Sequence, residues 1–197
     1  MNEYHVTMKI AILIRHGESE ANVKNLISED VEKYPLTEKG RDQAKFIAEQ
    51  ICDFKFDGII SSPILRTRQT AEIISEFVGI PYVVDSRIRE SGLGNYNNRS
   101  VSEIWGMTRR ELGMESWESP VNRFQEIFNA YDGNYVLVSH ALPIRAAVSS
   151  FLDLNEEESY GIDIRNASMS AIDVSERKVL CIGSFIVTPN LNRAFPL

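Results

Sequence analysis

Two mainly apolar runs organise the chain, Ile10–Ile14 and the stretch Tyr135–Ser139. Short runs without alternation read as strands buried on both faces of a parallel sheet. Each ends abruptly in polar residues, the first at Arg15-His16-Gly17 and the second at His140. Between and beyond them the spacing of apolar positions becomes helical. Ala44, Ile47, Ala48 and Ile51 fall on one face of a helix that Thr37 caps and that runs to about Phe54. Gly58–Ser61 is a short strand, and Ser62-Pro63 turns it toward a helix near Leu65–Val78. Gly79-Ile80-Pro81 ends that helix ahead of a short strand, Tyr82–Val84.

The second half follows the same rhythm with more interruptions. Arg87–Asn98 has no period and reads as an irregular loop. Ser100 with Glu103 forms a capping-box signature for a helix near Val101–Leu112, and Ser119-Pro120 starts another near Val121–Tyr131. A helix carrying Pro143 in its first turn follows His140 and runs to about Leu152. Two strands, near Ser168–Val174 and Val179–Phe185, read as a closing β-hairpin. The tail from Pro189 reads as loosely held. Strands alternate with helices until that hairpin. The fold class is therefore α/β, a three-layer sandwich whose mainly parallel central sheet carries helices on both faces. No repeat, low-complexity segment or linker divides the chain, so residues 1–197 read as one domain.

Composition narrows the partners. The 197 residues are 43% hydrophobic and 25% charged, the balance of an ordinary globular protein. A net charge of −7 argues against general nucleic-acid or anionic-membrane binding, so any anion site must be a local basic cluster. Cys52 and Cys181 offer neither a disulfide framework nor metal-ligand spacing, and read as buried, reduced thiols of a cytoplasmic protein. Met1–Thr7 has no basic start and no apolar core of a secretory signal. It reads as a short extension, native or added, with His5 idle. No run is long enough to span a membrane.

The candidate chemistry lies where the two strands end. His16 and His140, two of only three histidines, each follow one of the most apolar strands. If those strands are parallel and central, both imidazoles enter the crevice at the carboxyl edge of the sheet, where α/β proteins bind ligands. Gly17 lets the backbone come close to a ligand. Histidines alone would suit zinc. Arg15, Arg66 and Arg145 near the strand ends make a bare metal site unfavourable, and they suit an oxyanion such as phosphate.

R-H-G-E-S-x-x-N at Arg15–Asn22 resembles the signature of the histidine phosphatase superfamily, the phosphoglycerate mutase-like proteins. Further blocks recur in the family's order: L-T-x-x-G-x-x-Q-A at Leu36–Ala44, S-S-P-x-L-R-T-x-Q-T-A at Ser61–Ala71, Glu90 ahead of Gly94, and V-L-V-S-H at Val136–His140 followed by P-I-R. The resemblance implies His16 as the nucleophile that takes the phosphoryl group and Glu90 as the proton donor. Arg15, Arg66 and His140 would hold the phosphoryl oxygens, while Asn22, Ser28 and Ala141 line the substrate-binding rim. All five catalytic side chains are expected in one pocket. His16 must attack as neutral imidazole, which nearby positive charge favours. Two departures stand out: Ala141 where glycine is common, and Asn97 in place of a carboxylate.

The family builds its cap over residues 95–120, and here that insertion is small. Trp105 and Trp117 within it are expected to pack, Arg109-Arg110 to lie on a solvated helical face, and Glu156-Glu157-Glu158 to open or solvate a helix. Gly40 and Gln43 are assigned to helix packing. The reading is a phosphatase hydrolysing a small phosphomonoester through phosphohistidine on His16. The alternative is a 2,3-bisphosphoglycerate-dependent phosphoglycerate mutase using the same residues, which Arg109-Arg110 keep open. Chain length and the modest cap lean toward hydrolysis, and an inactive phospho-ligand binder would have lost one of these groups. The expected partner is a small phosphorylated molecule, with no cofactor, metal, nucleic acid or membrane, and a homodimer left open.

Overall fold

The computed structural model of the protein describes residues 8–195, so the reading of residues 1–7 and of His5 lies outside the described residues. In chain order the elements are β1 (Met8–Arg15), α1 (Glu20–Val23), α2 (Glu38–Ile51), β2 (Gly58–Ser61), α3 (Leu65–Val78) and β3 (Tyr82–Val84). After two 3-10 turns come α4 (Val101–Ile104), α5 (Arg109–Leu112), α6 (Glu118–Ala130), β4 (Gly133–Ser139) and α7 (Ala141–Phe151). The chain closes with α8 (Glu156–Ser159), β5 (Met169–Asp173), β6 (Lys178–Ser184) and α9 (Pro189–Ala194).

The six strands form one sheet in the order β3-β2-β4-β1-β5-β6. β1, β4, β2 and β3 pair in parallel, while β5 runs antiparallel to both β1 and β6. Alternation along β1 explains why its sequence has no polar phase. Ile10, Ile12 and Ile14 pack against Ile47 and Ile51 of α2 and Ile74 of α3. Ala11 and Leu13 face the other way, against Phe124 and Phe128 of α6 and Val148 of α7. A strand covered on both faces needs apolar residues at every position. Among the described residues no helix is long and apolar enough to cross a membrane.

Local chemistry sets several boundaries. Thr37 Oγ1 accepts from the Gly40 N–H at 3.0 Å and starts α2. Gly79, at φ +76°, ends α3 in the left-handed region that favours glycine. Other expectations give way. The helix foreseen near Val101–Leu112 is two single turns, α4 and α5. Gly106 takes φ +79°, and a second capping box, Thr108 with Glu111, restarts the chain. Trp105, expected to pack, sits in this break and is 86% exposed. Cys52, expected buried, is exposed at the end of α2, and Cys181 is half-buried.

The tail is also docked rather than loose. Thr188 caps α9, Leu191 is fully buried, and the Phe195 ring stacks on Phe54 with centroids 4.4 Å apart. Apolar burial at these two positions outweighs the low order expected of a polar, proline-containing terminus. Leu191→Ala should therefore destabilise the protein by about 2–5 kcal/mol, the usual cost of emptying a core leucine site. Urea unfolding measures it, and a change under about 0.5 kcal/mol, the range of surface substitutions, would mean the tail is not part of the core.

Candidate active site

The register of the central strands builds the site. Arg15 pairs with Ser139 at the ends of β1 and β4, so the next residues, His16 and His140, leave the sheet side by side. The His16 N–H donates to the Ser139 carbonyl at 3.0 Å. The two rings meet edge to face with centroids 5.2 Å apart. β2 ends one strand further along, and the first turn of α3 brings in Arg66, 3% exposed. The start of α2 closes against the loop after β1. A Cβ on Gly40 would lie 1.9 Å from the Glu18 carbonyl oxygen, and one on Gly17 would lie 2.2 Å from that of Gly40. Only glycine fits at either position. The Gln43 side chain accepts from the Glu18 N–H at 2.8 Å. Both residues thus hold the loop in place, as packing rather than chemistry.

Hydrogen bonds fix both histidine tautomers. His16 Nδ1 lies 2.7 Å from the Gly17 carbonyl, which can only accept, so Nδ1 carries the proton. Nε2 then presents a lone pair, toward which Arg66 Nε–H donates at 3.1 Å. Arg66 Nη2 donates to the Ser28 carbonyl at 2.7 Å and to His140 Nδ1 at 3.3 Å. His140 therefore carries its proton on Nε2 and donates it to Ser62 Oγ at 2.8 Å. Burial pushes both imidazoles well below their ordinary pKa. Arg66 depresses both further, with Arg15 adding to the effect at His16. Glu90 Oε2 is 3.6 Å from His140 Nδ1, but with the imidazole neutral this is a polar contact rather than an ion pair. Burial raises the Glu90 pKa, and Arg66 and Arg15 offset only part of the rise.

Arg15, His16, Asn22, Ser28, Arg66, Glu90 and Ala141 line one pocket. His140 is fully buried and meets that pocket through Arg66 and Glu90. Arg15 Nη1 donates to the Ile164 carbonyl at 2.8 Å. Among the described residues its Nε and the Nη1 of Arg66 are buried without a hydrogen-bond partner. Ala141 and Leu142 open α7 at the pocket wall, where a helix N-terminus favours negative charge. Asn22 Oδ1 is occupied by the Ser19 N–H and by Asn166, which leaves its Nδ2 as the available donor. Ser28 contributes through its carbonyl, while its Oγ accepts from the Asp30 N–H at 3.2 Å. The pocket thus gathers donors around an uncharged imidazole that presents a lone pair, an arrangement suited to a phosphoryl group.

Other residues fall outside that pocket. Arg145 lines a neighbouring groove with Trp105, Arg109 and Tyr160. Arg109 is not a solvated cation. It ion-pairs with Glu156 and lies 5.5 Å over the Trp117 ring, whereas Arg110 is exposed. Ser62 and Asn166 have parts in the site that the sequence did not reveal. The Ser62 position stood in a matched block, yet its partner lies 78 residues away.

The pKa directions give a pH dependence of stability. Between about 6.5 and 5, an unfolded chain protonates its histidines, whereas folded His16 and His140 remain neutral because their pKa values are depressed. The unfolded state then binds more protons, so stability falls as pH falls through this window. Glu90, with its pKa raised, takes up its proton at higher pH when folded and opposes the loss. Glu90→Gln should therefore steepen the decline seen by urea unfolding. A decline unchanged in Glu90→Gln would contradict a raised Glu90 pKa.

The chain is 41% identical over 195 residues to a 2,3-bisphosphoglycerate-dependent phosphoglycerate mutase of Thermoplasma acidophilum, covering 94% of this chain and 98% of the relative. Phosphoserine phosphatase of Entamoeba histolytica, solved with 3-phosphoglyceric acid, shares the fold at TM-score 0.75 and 24% identity, over 92% of this chain and 98% of the other. A mycobacterial glucosyl-3-phosphoglycerate phosphatase, solved with VO3, superposes at TM-score 0.72 and 25% identity, over 83% of this chain and 92% of the other. With its branch 1 matched across residues 11–183, the chain belongs to the histidine phosphatase superfamily.

Proposed function

We propose that the protein moves the phosphoryl group of a small phosphomonoester through a phosphohistidine on His16, and that its reaction is that of a phosphoglycerate mutase. The observation carrying the first part is the pair of unpartnered guanidinium N–H groups, Arg15 Nε and Arg66 Nη1, beside a neutral His16 whose proton is fixed on Nδ1. Substrate phosphate draws Arg66 Nε–H away from His16 Nε2, whose lone pair attacks phosphorus as the bond to the ester oxygen breaks. The Glu90 carboxyl proton passes to that oxygen. The resulting carboxylate then takes a proton from the second acceptor as its oxygen attacks the phosphohistidine and frees His16. Water as acceptor gives hydrolysis; when a bisphosphate has charged His16, the free hydroxyl of an incoming phosphoglycerate as acceptor gives isomerisation. The arginines neutralise the equatorial oxygens, so no metal is needed.

One observation removes the argument from chain length, and another favours the mutase fate. The match to a relative that carries the mutase name covers 94% of this chain and 98% of the relative, so length does not discriminate. Arg145 also has a buried Nε without a partner among the described residues, in a groove that meets the phosphate pocket at Val101. A second anionic group, such as a carboxylate, would find a cation there. Hydrolysis remains the second reading, favoured by the small cap with Trp105 86% exposed.

A panel of phosphate esters, including 3-phosphoglycerate with and without 2,3-bisphosphoglycerate, separates the fates by released phosphate and by isomerisation. Isomerisation dependent on the bisphosphate supports the mutase, and phosphate release alone supports hydrolysis. His16→Ala should abolish turnover and any acid-labile, base-stable phosphoenzyme. Turnover retained in that variant would overturn the phosphohistidine. Glu90→Gln should lower kcat/KM for alkyl phosphates by about 10²–10⁴-fold, the usual worth of a general acid, and for aryl phosphates much less. Chelator should leave turnover intact, and activity restored only by a divalent ion would refute a metal-free mechanism.

A further inference from the structure

The Glu90 carboxyl must meet the leaving oxygen within hydrogen-bond reach, yet Glu90 lies between two 3-10 turns, Ser86–Ile88 and Gly94–Tyr96, with no strand or helix to fix it. Its own carboxylate accepts one local bond, from the Ser91 N–H at 2.9 Å. Its flanks are held from elsewhere. Arg123 Nη1 donates to the Arg87 carbonyl and, at 3.2 Å, to the Arg89 carbonyl. The Gly92 N–H donates to Glu115 Oε2 at 2.9 Å, and the Glu115 N–H returns a bond to the Gly92 carbonyl at 2.9 Å. Arg123 and Glu115 grip each other through a two-pronged bridge, Nε to Oε1 at 3.1 Å and Nη2 to Oε2 at 3.0 Å. Arg89 Nη2 and Ser119 Oγ also donate to Glu115 Oε1.

We infer that the Glu115–Arg123 pair is a positioning device for the catalytic acid, clamping the backbone on both sides of Glu90 and tying it to the cap. The inference rests on the reading of Glu90 as proton donor. Glu115 lies in the segment between α5 and α6, and Arg123, 8% exposed, lies on α6. The sheet that sets His16 holds the turn before the acid, where Ser139 Oγ donates to the Ile88 carbonyl at 2.7 Å, while the residues flanking Glu90 are set by the cap and by the helix behind it. A planar, five-donor guanidinium suits the task, since it can fork to a carboxylate and bond two carbonyls at once. A misplacement on the order of 1 Å at a reacting group is worth about 10²-fold in rate.

The charge of Arg123 also reaches the acid. Glu90 is faced by Arg66, Arg15 and Arg123, by the Ser91 N–H and by His140 at 3.6 Å. Of these only Arg123 changes in an Arg123 variant. Removing its charge leaves the carboxyl more easily protonated, so the acid stays protonated to higher pH.

The test compares an alkyl phosphate, which needs its leaving oxygen protonated, with an aryl phosphate, which scarcely does. Arg123→Met and Glu115→Gln should lower kcat/KM, which reports the step that expels the leaving group, by about 10–100-fold for the alkyl ester and by less than about threefold for the aryl ester. The double variant should be no slower than the worse single one, because the two residues act as a unit. Arg123→Met should move the alkaline limb of the alkyl pH profile upward, and Arg123→Lys, which keeps the charge, should not. Thermal melting of each variant checks folding. Equal losses on both esters, or none on either, would overturn the clamp. Glu90→Gln run alongside separates the two failures. If it too lacks a preference for aryl esters, the assignment of Glu90 falls. If it shows that preference and the clamp variants do not, only the positioning inference falls.

Discussion

A buried guanidinium sits at the centre of the structure. Arg66 is almost fully enclosed, and instead of a carboxylate it bonds two imidazole lone pairs and a backbone carbonyl. Burying a cation without a close counter-ion is costly, so the surroundings must be arranged to tolerate it. They are: the histidines around it stay uncharged and turn lone pairs toward it, the Ser28 carbonyl accepts its shortest bond, and Glu90 adds a counter-charge whenever it is ionised. The same cost makes the site hungry for an anion. A phosphoryl group brought to Arg66 and Arg15 supplies the negative charge that the fold leaves short, and part of substrate binding is relief of that imbalance.

The two imidazoles beside Arg66 are delivered by adjacency in the sheet. β2, β4 and β1 are neighbours and run in parallel, so their carboxyl ends deliver Ser62, His140 and His16 to one edge in that order. The helices that follow β2 and β4 begin at the same edge. One contributes Arg66 from its first turn, and the other contributes the N-terminal positive end beside Ala141. Gly17 and Gly40 then permit the loop after β1 to press against the start of α2. The constellation is thus a property of strand order more than of any one loop.

How much of this was legible follows from where the information lies. β1 and β4 announce themselves because burial on both faces leaves no polar phase, and α3 is bounded as expected because Gly79 marks its end locally. The convergence of His16, His140, Arg15, Arg66 and Glu90 was readable from motif order and strand ends. The cap was not: Gly106 and the Thr108 cap break what the Ser100 signature alone promised as one helix. The docking of α9 depends on Leu191 meeting a groove made by distant elements, which no local pattern reports. Ser62 and the Glu115–Arg123 pair were silent for a related reason. Their partners lie far along the chain, and neither spacing nor composition distinguishes a carboxylate that grips an amide from one on a solvated face. Chain length does not separate hydrolysis from isomerisation, because it measures how much cap is present and not which acceptor reaches the phosphoryl group.

One physical cause serves both reacting groups. Removal from water disfavours charge on any side chain, so it lowers the His16 pKa and raises that of Glu90. The proposed reaction needs His16 deprotonated and Glu90 protonated, and a dry pocket shifts each group in the direction its proposed role requires. The arginines do not act so evenly. Their positive charge reinforces the neutral state of His16 but works against the protonated state of Glu90. More cations would strengthen phosphate binding and sharpen the nucleophile while stripping the acid of its proton. The set of arginines facing the pocket is therefore bounded from above, and burial is what keeps the Glu90 pKa raised against the three that act on it.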